Sequence, residues 1–169
     1  MPSEPSCKEY ACNPSFLGNA TGILKVVETI LSLICFGLIL HYFRGLNSDR
    51  SYGGSALDQG AGFMFCVSFG FFLSSALMLI GSMMHPYTAH ILPRTIFESL
   101  HHIFAGILFM AAGTYLLIQT VQKNNDLKIL IGIKDPGYNG KIAAAVLGLI
   151  NGILHALSQN LTNKIRKEG

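Results

Sequence analysis

Charge is scarce in this chain. Asp, Glu, Lys and Arg make up 12% of its 169 residues, against a hydrophobic share of 50% and a mean hydropathy of +0.44. A soluble domain carries about twice that charge, so an ordinary water-soluble fold is excluded. The twelve basic residues are too few and too scattered to track a phosphate backbone, and no nucleic-acid partner is expected. There is no nucleophile elbow, glycine-rich phosphate loop, zinc-ligand spacing or cofactor fingerprint, so neither enzymatic activity nor a bound cofactor is expected. Cysteine is missing from every segment between the apolar blocks, which excludes a disulfide-stapled loop, and tryptophan is absent altogether. A claudin-like or tetraspanin-like organisation is excluded with them.

What the chain does have is long apolar blocks. Four of them, at about 24–43, 61–84, 95–121 and 142–161, approach or exceed the length of about 20 residues that crosses a bilayer as a helix. The segments between carry turn and breaker residues: "RGLNSDRSYGGSALDQG", "HPYTAHILPR" and "KNNDLKILIGIKDPGYNGK". Within the last, "LKILIGIK" reads as a short strand or a surface-lying segment. The expected architecture is an all-α integral membrane protein, a four-helix up-and-down bundle over 22–161. It is flanked by an N-terminal segment, 1–21, and a basic tail, 162–169. Four spans put both termini on one side. No cleaved signal peptide is expected, because about 20 mostly polar residues precede the first block.

Basic residues do not orient the bundle. Lys8, Lys25, Arg94, Lys164, Arg166 and Lys167 fall on the terminal side, and Arg44, Arg50, Lys123, Lys128, Lys134 and Lys141 fall on the other. The cluster "NKIRKEG" directly after the fourth block favours an anionic cytoplasmic leaflet and hence cytoplasmic termini. Cys7 and Cys12 then become either reduced thiols or palmitoylation candidates.

Small residues recur at helical spacing. The fourth block has Ala144, Gly148, Gly152 and Ala156; the second has Gly62, Cys66, Gly70 and Ser74; the third has Ala105 with Ala112 and Gly106 with Gly113. Lipid is as apolar as the side chains, so helices in a membrane associate by close backbone approach across such faces. Spacing leaves open whether each ladder meets a helix of the same chain, another membrane protein or a second copy.

Titratable residues gather at one end. An up-and-down bundle brings the start of the first helix, the start of the third and the end of the fourth into one leaflet. A polar layer of Lys25, Glu28, Glu98, His101, His102, Asn151 and His155 is expected there, extended along the first helix by Thr29 and Ser32. Ionisable groups in a membrane point inward or pair with one another. Three meanings are open for the layer. Glu98-x-x-His101 has the spacing of di-iron bundles but lacks the second copy they need, and His102 with His155 resembles a haem-ligand pair with no counterpart at the other end. An ion or proton path needs polar groups that continue across the span, and the third block is apolar from Ile103 to Gly113. The remaining meaning is structural, with side chains that fix helix register.

"GILKVVETILSLICF", "FESLHHIFAGILFMAAGTYLL" and "KIAAAVLGLINGILHALS" resemble the first, third and fourth helices of MARVEL-domain proteins. That family includes MAL, the chemokine-like-factor relatives, the physins and the snakeskin-type junction proteins of invertebrates. Lys25 and Glu28 match the charged opening of the family's first helix; Glu98 with Ala105, Gly106, Ala112 and Gly113 matches its third; Ala144, Gly148 and Gly152 match its fourth. The resemblance implies cytoplasmic termini, a plasma or vesicle membrane, and lipid binding. It further implies a non-enzymatic role in membrane apposition, vesicle trafficking or cell-junction assembly. The alternatives are a small ion-coupled or proton-coupled transporter or channel that uses the Glu and His layer, and a haem or metal redox protein.

Overall fold

A computed structural model describes residues 17–48, 59–84, 86–131 and 137–168. Cys7 and Cys12 lie outside them. Five α-helices occur among the described residues: α1 (Ala20–Ser48), α2 (Gln59–Met84), the short α3 (Pro86–Ile91), α4 (Ile96–Ile131) and α5 (Tyr138–Glu168). A single 3-10 turn, Leu92–Arg94, links α3 to α4.

Four of the helices are long and apolar enough to cross a bilayer, over Ala20–His41, Gln59–Met84, Ile96–Asp126 and Tyr138–Lys167. Each is longer than its apolar block. Hydropathy marks the stretch that suits hydrocarbon, whereas the backbone ladder continues into flanking polar residues at no cost. The same effect corrects the reading of "LKILIGIK": its first residues continue α4 as helix to Ile131, neither strand nor separate segment. Lys128 in this last turn faces the negative end of the helix dipole.

The four long helices form a ring. α1 packs on α2 and α5, α4 packs on α5 and α2, and the pairs α1 with α4 and α2 with α5 stand diagonally. One stripe of each helix faces the axis. On α1 it runs through Glu28, Ser32, Cys35 and Ile39; on α4 through Glu98, His102, Ala105, Phe109, Ala112 and Leu116. These steps of three and four are those of knobs-into-holes bundles. Large side chains fill the middle, Met64, Phe109 and Leu116 being buried. Phe36 on α1 seats against Phe65 and Phe69 of α2, with ring centroids 5.0 and 5.2 Å apart. The outward faces carry Leu77, Ile107, Ile118 and Ile153, all exposed, as surfaces meeting lipid require.

Small residues set how closely the helices approach. A Cβ added at Gly113 of α4 would lie 2.9 Å from the Ala145 carbonyl oxygen of α5 and 3.0 Å from Leu149 Cγ. At Gly152 it would lie 2.9 Å from Met110 Cγ and 3.2 Å from the Gly106 carbonyl oxygen, and at Gly148 it would run into Met64 Cε. Ala144 is fully buried and its carbonyl accepts a bond from Cys35 Sγ at 3.7 Å. The fourth-block ladder thus lies between helices of this chain, save Ala156, which is exposed. The second-block ladder points elsewhere. Cys66 and Gly70 are exposed, Gly62 and Ser74 half-buried, and a Cβ at Gly70 would meet nothing within 4 Å.

Candidate functional site

All seven residues of the expected polar layer are buried, and they converge at the end of the bundle where α1 and α4 begin and α5 finishes. Helical periodicity aims them there. Lys25, Glu28 and Ser32 share one face of α1, Glu98 and His102 one face of α4, and Asn151, His155 and Ser158 one face of α5. In the absence of water, each must find its partners among the others.

Lys25 and Glu98 form the shortest charged contact, Nζ to Oε1 at 2.8 Å, with side-chain exposures of 5% and 1%. His102 stands between the two carboxylates: its Nε2 is 3.7 Å from Glu98 Oε1 and its Nδ1 is 3.8 Å from Glu28 Oε2. His155 Nδ1 lies 3.4 Å from the same Glu28 oxygen and 3.1 Å from His102 Nδ1. Glu28 Oε1 accepts a hydrogen bond from Ser158 Oγ at 2.5 Å. One layer deeper, Asn151 Nδ2 donates to Ser32 Oγ at 2.9 Å. Gln159 Nε2 donates to Ser99 Oγ at 2.6 Å nearer the helix end.

His101 does not join this centre. Its two ring nitrogens are taken by hydroxyls of α2, Nδ1 by Ser74 at 3.2 Å and Nε2 by Ser75 at 3.3 Å, so it bolts α4 to α2. Glu98 and His101 are therefore engaged with different helices and do not act as the half of a di-iron motif that their spacing suggested. The haem alternative fails on distance as well. Two axial histidines put their nitrogens about 4 Å apart across a macrocycle, whereas His102 and His155 touch at 3.1 Å with no room between.

Several partners were not legible as site residues. Ser158, Ser75, Ser99 and Gln159 are ordinary polar residues within helices, and only the packing of α5 and α2 shows that each completes a buried group. A second buried polar set, Thr120, Asn124 and Lys141, lies at the opposite end of α4 and start of α5. Between the two sets the core narrows to Cys35, Met64, Phe109, Ala112 and Ala144. A closed apolar plug separates the ends.

A family profile described as a membrane-associating domain, MARVEL, matches residues 16–159. Comparison with curated proteins and with solved structures finds no match. The profile spans all four long helices of the bundle, and the chain accordingly belongs to the MARVEL family of membrane-associating proteins.

Proposed function

We propose that this protein is a non-enzymatic four-span organiser or assembly subunit, with cytoplasmic termini. It works in membrane apposition, vesicle trafficking or cell-junction assembly by lateral contact with another membrane protein or a second copy. One observation carries the reading. The small-residue ladder of α5 is used up inside the bundle, whereas that of α2 is left outside, with Cys66 and Gly70 exposed. Phe63, Cys66, Val67, Gly70, Ser74 and Leu108 line a shallow apolar groove on that face, of the kind that admits a helix at close range. The apolar plug adds support, because it interrupts any polar route through the middle of the chain.

The test is oxidative or bismaleimide crosslinking through Cys66 in native membranes, with Cys66→Ser as control, followed by mass spectrometry of the adduct. A discrete adduct lost in Cys66→Ser and weakened at least tenfold by Gly70→Leu is expected. A protein that remains monomeric in both forms, and that brings down no membrane partner, overturns the reading.

A second reading, an ion-coupled or proton-coupled transporter, is favoured by Lys25, Glu28, Glu98 and His102 buried within one layer. It requires flux across liposomes that disappears in Glu28→Gln.

A further inference from the structure

We propose that Glu28, His102 and His155 form a binding site for a divalent transition-metal ion, best matched by zinc, which clamps α1, α4 and α5 together. The three ligand atoms, Glu28 Oε2, His102 Nδ1 and His155 Nδ1, form a triangle with sides of 3.1, 3.4 and 3.8 Å. The point equidistant from corners so spaced lies about 2.0 Å from each, and zinc binds imidazole nitrogen at about 2.0–2.1 Å and carboxylate oxygen at about 2.0–2.2 Å. Ligands of a tetrahedral ion with such bonds stand about 3.3 Å apart, close to the mean of the three sides. The spacing of the trio is thus already that of a loaded site.

The donor set is also the right chemistry. Two imidazoles and one carboxylate are zinc ligands, with a fourth position left for water. Their supports resemble the outer shell of a metal centre. Ser158 fixes the carboxylate through Glu28 Oε1, leaving Oε2 for the ion. His102 turns its other nitrogen, Nε2, toward Glu98 Oε1, the carboxylate–histidine–metal arrangement that holds a ligand in its binding tautomer. Lys25 in turn anchors Glu98. His155 Nε2 has no hydrogen-bond partner among the described residues, and its ring stacks on Phe109 at 5.9 Å.

Without an ion, the two Nδ1 atoms share one N–H. The ring centroids then stand 5.4 Å apart, which places the rings nearly head-on. Loading moves that proton to the far nitrogen of its own ring and turns each ring by roughly 35°, which aims both lone pairs at the common point. The approach is from the terminal end, where a crevice lined by Thr21, Lys25, Glu98, His102, Ser158 and Thr162 reaches the site. The crevice is too narrow for a water molecule, so loading accompanies opening of the helix ends and exchange is slow.

The proposal is independent of the organiser reading, since metal retention reports the trio alone. The full chain, carrying an affinity tag free of histidine, is expressed with added zinc, purified in mild detergent and assayed by elemental analysis. About one zinc per chain is expected for the wild type, falling at least tenfold in Glu28→Gln, His102→Gln and His155→Gln. His101→Gln, one residue away but bonded to α2, should keep its metal. Should the trio variants fail to fold, the wild type grown on cobalt decides: a tetrahedral N,O site gives visible absorption at about 500–650 nm. Wild-type protein with less than about one-tenth of an equivalent of zinc and no cobalt spectrum overturns the proposal, and so does full retention in His102→Gln or His155→Gln.

Discussion

Lys25 and Glu98 meet at 2.8 Å across the diagonal of the bundle, from two helices that otherwise scarcely touch. The pair ties α1 to α4 through the axis. Removal of one member leaves a buried charge alone, which costs about 3–5 kcal/mol, whereas removal of both leaves a smaller deficit. Lys25→Met and Glu98→Leu are each expected to lower the melting temperature in detergent markedly, and the double variant should recover much of the loss. A double variant as unstable as the sum of the singles would show that the two charges act separately.

His101 offers a second case of shared dependence. Its imidazole is buried and both nitrogens lean on serines of α2. The double replacement Ser74→Ala with Ser75→Ala leaves two polar ring atoms unsatisfied and is expected to destabilise by about 1–3 kcal/mol. Adding His101→Phe removes the demand, and stability should return toward wild type. Thermal unfolding followed by monodispersity on size exclusion reads both steps. No recovery in the triple variant would mean that the ring serves another partner.

Glycine positions separate folding from assembly. At Gly113 a methyl group would sit 2.9 Å from a backbone oxygen that has no freedom to move, so Gly113→Ala pushes α4 and α5 apart at a cost of about 1–3 kcal/mol. Gly148→Leu should be worse, since its side chain enters space held by Met64 and Phe109. Gly70→Leu projects into open space and should leave thermal stability within about 0.5 kcal/mol of wild type. Loss of partner capture in Gly148→Leu would therefore report misfolding, whereas the same loss in Gly70→Leu reports a contact. Circular dichroism on the same samples distinguishes the two.

The bundle was legible because its causes are local. Four blocks of bilayer length, broken by Gly, Pro and Asn, leave few folds open, and an even number of spans brings Lys25, Glu98 and His155 to one end. The pairings were not legible. Glu98 has His101 three residues on and His102 four on, and both spacings suit a helix, but only α2's serines decide that His101 turns away. Ser158 and Glu28 are 130 residues apart and nothing local couples them. The ladders divide in the same way. Spacing marks Gly70 and Gly148 alike, and only the helix order around the ring places one outside and the other against Met64.

Glu98→Gln bears on which reading of function holds. The variant keeps the shape of the side chain but loses the charge that faces Lys25, so it should fold less stably, by about 3 kcal/mol, and still fold. If the protein is an organiser, the folded fraction should capture its partner as wild type does, because the α2 groove lies on a different helix and on the outside of the bundle. If the protein moves an ion or proton, Glu98 is one of few groups able to take part, and flux in liposomes should fall at least tenfold with partner capture unchanged. Crosslinking yield per folded molecule and liposome flux, measured on one preparation, assign the layer. A variant that folds, captures its partner and yet loses all cellular function would contradict the organiser reading, because the only thing missing from it is a buried charge.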